Sequence, residues 1–206
     1  MKRMGFVLLM LVIAFGTAMA QGDNSVYFVT YFSNANTGGA ADATLRIIND
    51  GGSSTAEVEG IPNGNLWASI YVFDDSQELQ ECCNCFVSPD GLLSESVNYE
   101  LLANPLTGKV NYRGVIKVIS SSTYDPTNNV LTPGLRGWQT HIQATQSTDG
   151  SKSKKQTGPY YVTEAPLADS NLAPVEQTAL QDSCSFLFTL GSGHGICSCT
   201  PEDYDF

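Results

Sequence analysis

The chain has 206 residues, 42% hydrophobic and 15% charged, and its 21 acidic side chains outnumber 10 basic ones to give a formal net charge of −11. So acidic a surface repels nucleic-acid phosphates and anionic lipid headgroups, which argues against binding to DNA, RNA or a membrane surface. The length suits one domain with a sizeable core and leaves little for two.

Lys2 and Arg3 precede an apolar run from Gly5 to Phe15, and small residues follow, ending Ala18-Met19-Ala20. A basic start, a short apolar run and an A-x-A site predict a secretory signal peptide over residues 1–20. The run falls short of the ~20 apolar residues that a membrane-spanning helix needs. Cleavage before Gln21 would leave residues 21–206 as a single domain and, with Lys2 and Arg3 gone, a charge of −13. No later stretch is long and apolar enough to insert in a membrane, so a periplasmic or extracellular product is expected. No N-x-[ST] sequon occurs.

From Val26 onward, short runs of β-branched and aromatic residues alternate with Gly, Asn, Asp and Pro, the pattern of strands and turns. Val26 to Phe32 reads as the first strand and Thr44 to Asn49 as the second, closed by Asp50-Gly51-Gly52. Leu66 to Phe73 is nearly unbroken apolar sequence, which suits a central strand covered on both faces. Ser96 to Leu102, Gly114 to Ser120, Gly137 to Thr145 and Tyr160 to Thr163 complete the set. The polar stretch from Ser147 to Gly158 reads as an exposed hairpin loop. After Pro166 the period changes: Val175, Ala179, Leu180, Phe186, Leu187 and Leu190 recur at helical spacing. Pro174 suits a first turn and Gly191 a C-terminal cap, predicting one amphipathic helix over about 174–190. Strands without interleaved helices imply an antiparallel β-sandwich of immunoglobulin-like or jelly-roll type with that C-terminal helix, a barrel being the alternative.

Six cysteines form two groups, Cys82, Cys83 and Cys85 in one and Cys184, Cys197 and Cys199 in a cysteine-rich tail. In an oxidising compartment an even count implies disulfides, and six cysteines allow fifteen connectivities. Adjacent Cys82 and Cys83 would more simply reach different partners than each other. The alternative takes Cys83-Asn84-Cys85 and Cys197-Ser198-Cys199 as converging on one zinc or copper ion, with His194 as a further ligand. Asp74, Asp75, Glu78 and Glu81, and Glu202, Asp203 and Asp205 in the tail, offer hard oxygens that could hold calcium, although no EF-hand loop is present.

The chain has two histidines, His141 and His194, and neither sits in a catalytic signature. In the run Gly137 to Gln143, alternation puts Gln139, His141 and Gln143 on one strand face, with Trp138 beside them as part of a candidate binding surface. A solvated outer face is the simpler expectation. At Glu81 to Cys85, Ser88 to Leu92 and Gly191 to Cys199 the chain resembles uncharacterised, secreted, cysteine-containing bacterial proteins. The resemblance spans most of the mature chain, implies export and carries no assigned activity, cofactor or catalytic residue. The expectation is therefore a secreted, non-catalytic binding or structural module without a cofactor.

Overall fold

The computed structural model describes residues 24–53, 55, 63–144 and 159–199. The leader expected over 1–20, the polar stretch 147–158 and the tail carboxylates Glu202, Asp203 and Asp205 lie outside the described residues. Within them the chain forms a β-sandwich with one helix. The strands are β1 (Tyr27–Ser33), β2 (Thr44–Asn49), β3 (Leu66–Asp74), β4 (Leu79–Val87), β5 (Leu92–Ser96), β6 (Arg113–Ser121), β7 (Leu135–Ala144), β8 (Tyr160–Pro166) and β9 (Ala168–Asp169), followed by α1 (Pro174–Leu190). One sheet runs β4-β3-β6-β1-β9 and the other β5-β2-β7-β8, with antiparallel pairing throughout.

The period of two along each strand sorts side chains into layers. Leu66, Ala68, Ile70 and Val72 of β3 face inward and meet Phe28, Phe32, Leu45, Ile47, Ile116 and Leu135 in the space between the sheets. Tyr71, one residue out of phase, faces the opposite way into a second apolar layer under α1, with Tyr27, Cys82, Ile119, Leu180, Cys184 and Leu187. Strand β3 is thus covered on both faces, as its continuous apolar sequence predicts. Leu167, buried between β8 and β9, marks where the chain crosses from one sheet to the other.

Helix α1 has the predicted bounds, with Pro174 in its first turn and Gly191 at φ 61° closing it in the left-handed conformation. Its buried face is narrower than the apolar spacing suggests. Leu180, Cys184 and Leu187 are buried, an i, i+4, i+7 stripe, whereas Val175, Phe186 and Leu190 are exposed. Polar contacts fix the helix start: Glu176 accepts hydrogen bonds from Tyr27 and Lys117, and Gln177 Nε2 donates to the Asn129 carbonyl at 3.2 Å.

The strand expected over Ser96 to Leu102 is not one. β5 ends at Ser96 and Val97–Leu101 forms a π-helical turn. Ser96 Oγ accepts the Tyr99 N–H at 2.9 Å, the Glu100 carboxylate accepts the Ser96 N–H, and Asp42 accepts the Asn98 N–H. Reciprocal capping overrides the β propensity of Val97 and Tyr99. Strand β4 has no counterpart in the sequence expectation, because Gln80, Glu81 and Asn84 interrupt its apolar pattern, yet Gln80 and Glu81 are fully buried.

All six cysteines pair: Cys82 with Cys184, Cys83 with Cys197 and Cys85 with Cys199. In an extended strand neighbouring residues point to opposite faces, so Cys82 reaches the helix while Cys83 and Cys85 reach the tail. The tail runs parallel to β4, with the Cys82 N–H donating to the Gly195 carbonyl at 2.8 Å and the Cys197 N–H donating to the Cys82 carbonyl at 3.3 Å. These bridges correct the alternative in which Cys83, Cys85, Cys197, Cys199 and His194 hold a metal: the thiolates that a metal would need are covalently paired.

The three bridges join residues 102, 114 and 114 positions apart, but they share one long loop. Once any of them closes it, each of the others closes only a short additional ring. In the chain-entropy model an isolated hundred-residue loop contributes about 5 kcal/mol, and rings of a few to ~20 residues about 2 to 3 kcal/mol. Replacing any one cysteine pair by alanine should therefore lower stability by about 2 to 3 kcal/mol, and the loss should exceed this only when the last bridge goes. Urea unfolding of the single-, double- and triple-bridge variants checks the non-additivity; equal, additive losses of about 5 kcal/mol per bridge would contradict it.

Candidate functional site

Among the described residues, two polar clusters bear on a candidate site. The first lies under the glycine-rich segment Gly191 to Gly195. Asn104 Nδ2 donates to the Gly193 carbonyl at 2.7 Å, Asn104 Oδ1 meets His194 Nδ1 at 2.7 Å, and the Gly195 N–H donates to the Asn104 carbonyl at 2.8 Å. His194 is exposed and tied to Asn104, away from the sulfurs. Beneath this knot lies Glu81, whose Oε1 accepts the Asn104 N–H at 2.8 Å and whose Oε2 has no hydrogen-bond partner among the described residues. Burial raises the Glu81 carboxyl to about 8, and the hydrogen bond from Asn104 opposes the rise only in part. The acid is thus largely protonated at neutral pH. Everything here ties the tail down.

The second place is a cleft of about 590 Å³ where the ends of β1 and β7 meet the segment 110–113. Ser33 Oγ and Asn34 Nδ2 both donate to the Ile142 carbonyl at 2.7 Å, which pins the end of β1 in one sheet to the end of β7 in the other. Asn34 (φ 57°) and Asn36 (φ 53°) turn the chain through the left-handed region, which asparagine tolerates better than other side chains. Asn36 Nδ2 then donates to the Asn111 carbonyl at 3.0 Å, and the Ala35 N–H to the Tyr112 carbonyl at 3.0 Å. One wall is therefore held at both ends. At the rim Arg113 Nε donates to Asp75 Oδ2 at 2.6 Å. Next to Arg113, Gly114 sits where a Cβ would come within 1.9 Å of the Phe73 carbonyl, so β6 can approach β3 there only as glycine.

Tyr31, 47% exposed, lines the cleft. Its ring stacks on His141 at 4.2 Å between centroids and its hydroxyl accepts from Gln143 Nε2 at 2.9 Å. His141 is buried and its proton affinity is lowered by that burial, against an opposing hydrogen bond to the Tyr31 backbone. The imidazole supports the tyrosine ring from behind. Tyr112, 54% exposed, and Asn111, whose Nδ2 is buried with no partner among the described residues, also line the cleft.

The candidate face of Trp138, Gln139, His141 and Gln143 is split by the fold. Gln139 pairs with Leu45, points into the core and is 0% exposed, with both amide atoms unpartnered among the described residues. Trp138 occupies the opposite face, between Arg46 and Pro166 in the sheet. His141 backs the cleft and Gln143 lines it. The solvated outer face expected for Gln139 and His141 is overturned, because residues paired across a sheet share a face and Leu45 faces the core. Tyr31, Asn34, Asn111 and Tyr112 were not singled out in the sequence; two tyrosine–asparagine pairs separated by most of the sandwich carry no local signal.

The carboxylates considered for calcium are dispersed. Asp74 accepts from the backbone of Ser76 and Glu78 and from Gln80 Nε2, Asp75 pairs with Arg113, and Glu81 is buried beside Asn104. Among the described residues the one convergent set of potential ligand atoms is the sulfurs of Cys83, Cys85 and Cys199, within 4.8 Å of one another and all in disulfides. Comparison with protein-family models, curated proteins and solved structures found no match to this chain.

Because the folded state raises the Glu81 carboxyl from 4.5 to about 8, it binds that proton more tightly than the unfolded chain does. The stability linked to Glu81 is fully present below 4.5 and is lost as pH rises through about 8. Thermal melts of wild type and Glu81→Gln should diverge over this range, with the wild type losing on the order of a few kcal/mol more than the variant. Parallel pH profiles would contradict the assignment.

Proposed function

We propose that this is a secreted, non-catalytic binding module and that it binds its ligand in the cleft between β1, β7 and residues 110–113. The observation that carries the reading is the bracing of half-exposed Tyr31, held by His141 behind its ring and Gln143 at its hydroxyl. An aromatic side chain left half in water, yet fixed in orientation, loses little conformational freedom when a ligand covers it. The cleft volume of about 590 Å³ falls in the range of about 300–1,000 Å³ common to small-ligand sites.

Export is supported by the signal-like N-terminus and by the three disulfides, which form and persist in oxidising compartments. Among the described residues no helix is long and apolar enough to cross a membrane. A binding role fits the cleft better than catalysis because its rim charges, Asp75 and Arg113, are paired with each other. His141 stands behind Tyr31.

The reading is tested by titrating ¹⁵N-labelled protein with polysaccharide, peptide and small-molecule fractions of its natural extracellular medium. At least one fraction should shift the amide signals of residues 31–37, 110–113 and 143 without being turned over. Shifts confined to other parts of the fold, or conversion of a fraction to product, would contradict it.

A further inference from the structure

The chemistry of the cleft narrows the ligand class, an inference that rests on the cleft being the binding site. We propose that it takes neutral glycan chains, with Tyr31 and Tyr112 presenting ring surface to the apolar faces of sugar rings and Asn34, Asn111 and Gln143 bonding to their hydroxyls.

A pyranose ring has C–H-rich faces and an equatorial belt of hydroxyls that both donate and accept. It therefore needs a flat, polarisable surface together with groups that also do both. Aromatic rings supply the first and carboxamides the second. The cleft has this combination: two half-exposed tyrosines stand among three carboxamide side chains. Asn111 Nδ2 is a donor that no described residue satisfies, in a residue only 8% exposed. An unmet buried donor costs free energy that a ligand oxygen reaching it would recover.

Charge excludes the main competitors. Arg113 is neutralised by Asp75, so no unpaired cation lines the described wall to hold a phosphate, sulfate or uronate. The chain as a whole carries −11, which opposes polyanionic glycans further. The cleft also lacks the apolar enclosure that would suit a lipid chain, because Tyr31 and Tyr112 are flanked by amides and a charge pair.

Isothermal titration with cello-, xylo-, manno- and chitohexaose as probes tests the assignment. At least one should bind, and Tyr31→Ala and Tyr112→Ala should each weaken it at least about tenfold. Tyr31→Phe, which keeps the ring, should retain most of the affinity. Tyr124→Ala, at a tyrosine exposed outside the cleft, should leave it unchanged. Thermal melts establish that each variant folds. The inference is overturned if no probe binds, if binding persists in both Tyr31→Ala and Tyr112→Ala, or if Tyr124→Ala weakens it equally. Cleft signals that respond to a peptide or small-molecule fraction while every glycan is silent would overturn the glycan class and leave the binding site standing. Silence of the cleft toward every fraction would remove both.

Discussion

Strand β4 is bonded covalently from both of its faces, and the placement of α1 and of the tail through Cys199 follows from that. Cys82 points outward and holds α1 through Cys184, while Cys83 and Cys85 point inward and hold the tail through Cys197 and Cys199. A strand at the edge of a sheet would otherwise present unpaired backbone groups to solvent. Here the tail covers part of that edge, donating from Cys197 and accepting at Gly195. Asn104 locks the glycine-rich turn above it, and the buried Glu81 carboxyl accepts the Asn104 N–H from below. The apolar layer beneath α1 is small, with Leu180 and Leu187 as its helical contributors beside Cys184, so the bridge supplies what helix packing alone does not.

The opposite corner of the sandwich is secured by hydrogen bonds instead. Two side chains from the end of β1 converge on one carbonyl of β7, and two left-handed asparagines fold the following loop back onto residues 111 and 112. The consequence is a cleft with one wall held at both ends and a supported tyrosine. This division, covalent fastening at one side and a preorganised polar cleft at the other, is what the proposed binding role draws on. Local rigidity limits the entropy lost on ligand capture.

The sandwich architecture, most of its strands and the helix bounds were legible, because period-two alternation and the Pro174 to Gly191 frame are local signals. β4, most of β5, β9 and the π-helical turn were not. In β4 the polar residues Gln80, Glu81 and Asn84 masked a strand whose burial depends on partners that arrive a hundred residues later. At Ser96 a capping pattern with Glu100 outweighed β propensity, a competition that sequence alone leaves undecided. Missing β4 also hid the connectivity: once residues 82 to 85 are extended, alternation separates Cys82 from Cys83 and Cys85. The cleft was illegible for a different reason. Tyr31, Asn111 and Gln143 are brought together by strand order, and their spacing in the chain carries no period.

The central structural claim is that β4 is clamped from both faces, and the most direct test is disulfide mapping of unreduced protein by electron-transfer fragmentation. The account requires Cys82–Cys184, Cys83–Cys197 and Cys85–Cys199. A Cys82–Cys83 bridge, or Cys82 linked to the tail in place of the helix, would contradict it, since an extended β4 cannot make either.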